Sequence, residues 1–431
     1  MQALYKLALD PIAETRGDPN SYGFRTARST ADATEQCFIV LSRKQSAQWI
    51  LEADIASCFD KISHQWLQSH IPIETCILQQ WLRAGYIDRK GFSYTEEGTP
   101  QGGIISPVLM NLTLDGLEAA LYKRESGRKR PGIHLVRYAD DFIITAHDEA
   151  ILAETIQPTV TRFLGERGLQ LSSTKTHVTH LQNGFDFLGQ TIRKFHDKLI
   201  IRPSKESVQR FLEKIRRTIR AQTHVTAGEL IATLNPIIRG WANYHRHVVS
   251  KRIFISLERH IFAAIWRWAR RRHPQKSAKW IRQRYFRVCG QRQWCFFGSI
   301  NQDRKGNKQP IYLVSLGKTT IQRHTKIKSA ANPFDPAWET YFEQRLDQRM
   351  LNHLAGKESL RQLWFEQRGI CPVCQQKITP QTGWHSHHII WRVNGGDEGM
   401  ENRVLLHPTC HKQVHSRGLQ VEKPRLVRQG V

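Results

Sequence analysis

Two kinds of hydrophobic pattern divide the chain. Through the first two hundred residues, short β-prone runs alternate with amphipathic stretches. Leu4, Leu7, Ala8 and Ile12 fall on one face of a helix predicted over Gln2 to Ile12. Further helices are predicted over Thr30–Leu41, His64–Ala84, Ser106–Leu121 with Pro107 in its first turn, and Asp148–Arg167. Strand-like runs cover Trp49–Ile55, Leu169–Thr179 and Phe185–Ile192. His134 to Ala146 reads as a hairpin, two apolar runs around a polar centre at Asp140-Asp141. Glu97 to Gly103 is a breaker-rich loop. From about Ile201 the pattern becomes helical and basic, over 204–221, 226–247 and 254–272. Leu234-Asn235-Pro236 predicts a kink or a helix start. Phe254, Leu257, Ile261, Ile265 and Trp268 recur at helical spacing, as core or as a base-stacking platform. Short strands follow at Trp294–Ile300 and Pro310–Leu316, then a boundary at Pro333–Pro336 and a helix over Ala337–Gly356.

Charge narrows the partner. Of 431 residues, 64 are Lys or Arg against 38 Asp or Glu, a formal net charge of +26. That excess points to a polyanion such as nucleic acid. No apolar run approaches the roughly 20 residues that span a bilayer, which argues against a membrane partner. The first residues lack the pattern of a signal peptide. Five of the eight cysteines are scattered, and this usage fits a reducing, cytoplasmic compartment.

Candidate chemistry begins with the acids. Asp140 and Asp141 are adjacent and would repel, so a fold that keeps both ionised supplies a cation. The bland reading is a surface turn. A third acid, Asp54, ends another β-like run. One acid on a strand and two on a neighbouring hairpin can hold two Mg²⁺ ions for in-line phosphoryl transfer. The glycines of Gly98 to Gly103 make either a plain connection or a close backbone approach to a nucleotide.

Six blocks occur in a telling order: Tyr22-Gly23-Phe24-Arg25, Ala53-Asp54-Ile55 with Phe59 and Asp60, Gly98 to Pro107, Tyr138-Ala139-Asp140-Asp141, Leu171 to Thr176 with Lys175, and Phe187-Leu188-Gly189. Their series resembles bacterial group II intron reverse transcriptases. The resemblance implies a right-hand polymerase palm with catalytic, Mg²⁺-holding Asp54, Asp140 and Asp141. It makes Phe59 the gate against a ribose 2′-hydroxyl. Gln101 and Gly102 would line the incoming dNTP, and Tyr138 would sit against the primer end. Ile237 to His245 and Trp266 to Arg271 resemble the thumb, or maturase domain, of the same family. That implies binding of the parent intron RNA and help with splicing. The basic stretch Ser315–Lys328 occupies the position of a DNA-contacting segment.

Family members usually carry a first fingers block that holds the triphosphate, and this chain is expected to start after it. A polymerase would then need that part from elsewhere, from a homodimer partner or a complementing N-terminal chain, because phosphoryl transfer depends on positioning and charge stabilisation.

The C-terminal stretch holds two constellations. Cys371-x-x-Cys374 and His407-x-x-Cys410 match a closed tetrahedral Zn²⁺ site, against the alternative of free thiols and a chance histidine. His387-His388, Asn402 and His411-x-x-x-His415 follow the order of the HNH endonuclease motif, which this stretch resembles. His411 and His415 would share a helix face. The resemblance makes His387, His411 and His415 ligands of a nuclease Mg²⁺ or Mn²⁺ ion, His388 the general base, and Asn402 the anchor of the His388 strand. His385 is secondary or incidental. In the family the second zinc pair is more often two cysteines.

Together these readings imply a multidomain α+β protein. A partial fingers/palm would span 1–200, a helical thumb 201–284, a basic DNA-binding linker 285–336, and a small zinc-stabilised ββα-metal HNH domain 337–431. The implied task is to bind intron RNA, promote splicing, cut a DNA target strand and prime cDNA synthesis from the nick. The alternative is an RNA-binding splicing maturase with an HNH nuclease and an inactive polymerase.

Overall fold

A computed structural model of the protein describes residues 1–88, 91–93, 95–99, 102–122, 132–301, 308–354, 358–391, 394–397 and 399–424. The chain forms two compact units, Met1–Ala330 and Ala331–Val431.

The first unit opens with helices α1 (Gln2–Arg16) and α2 (Thr30–Leu41), then strand β1 (Trp49–Asp54) and the short α3 (Cys58–Lys61). The single helix expected over His64–Ala84 is two, α4 (His64–His70) and α5 (Thr75–Arg83). Pro72 lacks an amide donor and forces Ile71 into an extended conformation, which stops α4. After β2 (Tyr86–Asp88) and β3 (Gly91–Ser93), the expected apolar helix is likewise split into α6 (Ser106–Leu114) and α7 (Leu117–Tyr122). Gly116 between them lies at φ +94°, a backbone region that suits glycine. β4 (His134–Tyr138) and β5 (Asp141–Ala146) form the expected hairpin. A π-helical turn over Ile151–Ile156 runs into α8 (Gln157–Gly165). Of the strand expected over Leu169–Thr179, β6 (His177–His180) pairs in the sheet, and Leu171 makes an isolated bridge to Ile55.

These strands form one antiparallel sheet in the order β4-β5-β1-β6. Leu51, Ala53, Leu135, Phe142 and Ile144 are buried in the same core as Leu109, Leu117 and Val160 of the helices. Each such leucine or phenylalanine contributes roughly 1.5–3 kcal/mol on burial. The strand expected over Phe185–Ile192 is instead a hairpin, β7 (Phe185–Phe187) and β8 (Gln190–Phe195), extended by β9 (Lys198–Pro203). Leu188 and Gly189 both lie at positive φ, the requirement of a tight two-residue turn.

A second core belongs to the helical region. Ser204 caps α9 (Lys205–Ala221), and a Thr226–Glu229 capping box starts α10 (Ala227–His245). α10 continues through Pro236. Helix α11 (Lys251–Arg272) buries Phe254, Leu257, Ile261, Ile265 and Trp268, so that stripe is core. Helix α12 (Ala278–Tyr285) leads into a three-stranded sheet, β10 (Phe286–Cys289), β11 (Arg292–Asn301) and β12 (Lys308–Tyr312). Gly228 and Gly298 let α10 and β11 touch: a Cβ on Gly228 would lie 2.1 Å from the Ser299 carbonyl oxygen. The buried Asn235 amide donates to the Tyr312 carbonyl and accepts from the Val314 N–H, both at 2.9 Å.

The second unit contains α13 (Glu339–His353), α14 (Glu358–Glu366), the hairpin of β13 (His385–His388) and β14 (Arg403–Leu406), and α15 (Pro408–Arg417). Its core includes Leu363, Trp364, Val404, Leu406 and Val414. Among the described residues, no helix is long and apolar enough to cross a membrane.

Candidate polymerase, zinc and nuclease centres

The palm acids are brought together by strand register. Asp54 ends β1 directly opposite Asp141, the first residue of β5. Asp141 also pairs with Tyr138 of β4, leaving Ala139 and Asp140 as the turn. Ala139 sits at φ +59°, a conformation usually left to glycine, and such outliers collect at functional sites. Gly23 lies against this turn. A Cβ there would come within 2.3 Å of the Ala139 nitrogen. The Asn111 amide donates to the Gly23 carbonyl at 2.9 Å, and Arg137 donates to Asn111. Arg137 is fully buried and ion-paired with Asp115. Arg25 binds Glu14 and the Asp18 and Ser21 carbonyls, so the last residue of that block holds the turn together.

Burial, then the neighbouring charges of Asp54, Asp140 and Glu52, push the Asp141 carboxyl up to about 7. Burial and Asp54 raise that of Asp140. Lys175 sits at 2.7 Å from the Asp54 carboxylate, two-thirds exposed. Three crowded carboxyls beside one exposed ammonium would be relieved by divalent cations, whose preferred ligands are such oxygens. Glu52, two residues before Asp54, is a fourth acid that sequence reasoning passed over. It accepts from Thr179 at 2.8 Å.

Phe59 is half-buried behind Asp54, edge-on to Phe24 with ring centres 6.3 Å apart. The glycine loop docks on the same turn. Thr99 N–H donates to the Phe59 carbonyl, and a Cβ on Gly98 would lie 2.4 Å from the Asp60 carbonyl carbon. Gly102 lies at φ +88° with open space where a Cβ would stand. Gln101 lies outside the described residues.

The aromatic run of α10 points inward. Trp241 stacks on Phe211 at 4.6 Å, and Tyr244 donates to the Leu188 carbonyl. His245 bridges Gln190 and Ser207. These residues join the helices to β7–β9. The basic stretch Ser315–Lys328 is strapped to α2: His324 and the Ile327 N–H both bond the buried Asp32. Burial opposes that carboxylate, yet these bonds and one from Ser29 hold it at about 2.

In the second unit, ligand atoms of Cys371, Cys374, His407 and Cys410 all lie within 4.8 Å of one another. The Cys371 carbonyl accepts from Gln375, which turns at φ +57°. His407 Nε2 faces the Lys377 carbonyl at 3.1 Å, while Nδ1 faces Cys374 at 3.3 Å. That bond fixes a tautomer whose Nδ1 lone pair is free for a metal. Burial works against a Cys371 thiolate, but backbone N–H groups of His407, Cys374 and Val373 outweigh it. Burial and the other two thiols push Cys410 up to about 12. Three cysteines and a histidine, with Cys371, His407 and Cys410 buried, make a donor set that fits Zn²⁺.

A second group, His387, His411 and His415, also lies within 4.8 Å. His411 and His415 face each other through Nε2 at 3.2 Å on α15. Burial, then His411, His415 and His388, lower His387 to about 4, so its imidazole is neutral and ready to ligate. His388 is the next residue on β13, where successive side chains alternate faces. Asn402 is buried and closes the loop: it accepts from Ile390 N–H at 2.7 Å and donates to the Ile390 and Asp397 carbonyls. Gly396 fits beside it only without a Cβ, which would meet the Ile390 oxygen at 1.8 Å. His385 faces His411 Nδ1 at 3.3 Å.

Family models match three stretches of the chain. "Reverse transcriptase (RNA-dependent DNA polymerase)" covers residues 1–192, "Group II intron, maturase-specific domain" 208–286, and "HNH endonuclease" 371–417. In these three stretches the chain is similar to group II intron-encoded proteins. Relatives include Protein YkfC of Escherichia coli, 29% identical over 45% of this chain and 60% of that protein. LtrA, a group II intron-encoded protein of Lactococcus lactis, is 26% identical over 48% of this chain and 44% of its own length. An uncharacterised 91 kDa protein in the cob intron of Schizosaccharomyces pombe is 26% identical over 59% of this chain and 41% of that one. The chain thus spans less than two thirds of each relative's length. A telomerase structure from Candida albicans aligns with 66% of this chain and 56% of its own at 10% identity, and its TM-score of 0.36 carries no argument. The palm acids fall within the first matched stretch, and the four-residue Cys/His set and the histidine triad within the third.

Proposed function

We propose that this chain is an RNA-directed DNA polymerase, a splicing maturase and a DNA endonuclease acting in intron mobility. The observation that carries the polymerase part is the register of Asp54 against Asp141, with Asp140 in the turn beside them. In this reading residues 1–200 form the fingers/palm, 201–284 the thumb, 285–336 a DNA-contacting linker and 337–431 the nuclease.

Asp54, Asp140 and Asp141 would hold Mg²⁺ at the palm, which would supply charge neutralisation of the dNTP phosphates and activation of the primer hydroxyl. Phe59 and the Gly102 backbone bound the sugar and base of the incoming nucleotide, a role the sequence assigns to Gln101 as well. Tyr138 supports the primer end. In the second unit, His387, His411 and His415 would hold Mg²⁺ or Mn²⁺, which would supply positive charge to the scissile DNA phosphate. His388 takes a proton from the attacking water, a task suited to an imidazole near neutral pH. Asn402 acts as a positioning residue for that strand. Cys371, Cys374, His407 and Cys410 hold Zn²⁺ as a staple. The partners are intron RNA, a DNA target and dNTPs, met in the cytoplasm and on the nucleoid.

The test is primer extension with purified chain, an RNA template, a DNA primer and labelled dNTPs. Asp140→Ala should cut extension by about a thousandfold or more, since it removes a carboxylate that would hold the cation neutralising the reacting phosphates. Equal extension by wild type and variant would overturn the assignment of the acids. No extension from folded wild-type protein that binds RNA would leave a splicing maturase with a nuclease.

A further inference from the structure

Three arginines that the first unit draws inward are answered by an acid. Arg25 and Arg28 share Glu14, and Arg137 has Asp115. The flank of α11 breaks that rule. Between α9 and α11 the side chains leave a cleft of about 430 Å³. Arg216 and Arg220 line it from α9, Arg267 and Arg271 from α11, and no carboxylate lines it. Among the described residues, none of these four is ion-paired with an acid. The Nε of Arg216 is buried and lacks a hydrogen-bond partner. A buried, unsatisfied donor is costly, and four guanidiniums in one cleft repel one another.

The floor of the cleft is fixed in advance. Arg272 donates to the Thr223 carbonyl at 2.8 Å and lies over the Trp268 ring at 4.8 Å. The Trp268 indole N–H donates to the Gln222 carbonyl at 2.8 Å. These bonds tie the α9–α10 connection to α11, so little ordering is left for binding to supply.

Shape then selects the ligand. The positive groups come from two facing walls, so an occupant meets them on both sides. A duplex is far too wide for a space of this volume and would offer one rank of phosphates to its rim. A single strand that doubles back can place phosphates inside. We propose that the cleft is a phosphate site for a sharply turned, single-stranded segment of RNA, taking two phosphates between Arg216 and Arg220 on one wall and Arg267 and Arg271 on the other. The proposal rests on the RNA-binding reading above and specifies where that strand is gripped.

The test uses full-length protein, a fluorescein-labelled RNA hairpin with a long U-rich loop, and a blunt RNA duplex of the same length. Affinity is read by anisotropy across a salt series. Losing two single-strand phosphate contacts should flatten the log–log salt slope for the hairpin by about 1.4, or about 25-fold weaker binding at 0.1 M salt relative to a 1 M reference. Arg216→Gln/Arg271→Gln should show this loss, with duplex binding changed less than about twofold. Arg220→Gln/Arg267→Gln, at exposed positions, repeats the test should the first variant misfold. An unchanged hairpin slope in both variants, or equal losses on hairpin and duplex, would overturn the cleft alone. Wild-type protein that binds neither RNA would overturn the RNA-binding reading with it.

Discussion

The palm centre and the C-terminal centres solve opposite problems. In the palm, folding forces like charges together: backbone register sets Asp54 against Asp141, and burial drives the Asp141 carboxyl up to about 7. The sheet forms in spite of its crowded acids. In the second unit, the ligand set stands where a core would otherwise be thin. Cys371 and Cys410 are buried among the apolar residues that hold the unit together. Burial and neighbouring imidazoles lower His387 and His411, which favours their neutral form, so they could take up a cation without straining the fold. A metal at the palm would relieve a cost, whereas a metal at the four-ligand site would supply stability.

The largest consequence concerns that four-ligand site. Structural Zn²⁺ sites in small domains are worth about 10–16 kcal/mol near neutral pH, more than the rest of such a unit can supply. Cys371→Ser with Cys374→Ser, or a strong chelator, should unfold Ala331–Val431 and leave Met1–Ala330 folded. Limited proteolysis with mass spectrometry would read this directly. Protection of the C-terminal unit in the double variant would refute the comparison.

The two centres also differ in how far sequence exposes them. The clustering of the Cys/His set and of the two α15 histidines is legible because their spacing is local: pairs with two or three intervening residues settle the geometry within one turn or one helix face. The acids of the palm are legible as residues, but their support is not. Arg137 sits in an apolar run, Asn111 in an apolar helix, and Gly23 over a hundred residues before the turn it backs; only the tertiary fold joins them. The helix breaks fail for a related reason. Apolar periodicity runs on through Pro72 and Gly116, and the local backbone requirement of each overrides it. The aromatic run of α10 had the residue types of an RNA contact, yet its partners across the fold make it a joint.

A middle-sized effect follows from Asp141. Its folded value, about 7, lies above the unfolded value near 3.9. The stability it lends is therefore full below about pH 4 and lost as pH rises through 7. Three units correspond to about 4 kcal/mol, and solvent relaxation should leave roughly half of it. In EDTA near pH 8, Asp141→Asn should raise the Tm of the first unit, and near pH 4 it should change it little. Excess Mg²⁺ should narrow the gap by stabilising wild type alone. A variant less stable than wild type at both pH values would show that the register carries no electrostatic cost.

Lys175 gives the smallest and sharpest test. Its ammonium stands 2.7 Å from Asp54 while two-thirds exposed. An exposed pair of this kind is worth at most about 1 kcal/mol, so Lys175→Met should barely move the Tm. Its effect should appear instead in the titration of its neighbours, because Lys175 is the positive group that lowers both Asp140 and Asp141. Without it, the metal-free pH at which stability is lost should move upward, and more Mg²⁺ should be needed at a fixed pH below 7 to restore it. A Lys175→Met protein with an unchanged midpoint would mean that solvent, rather than this ammonium, screens the acids. In that case the palm would depend on its cations alone, and the contrast with the neutral histidines would be sharper still.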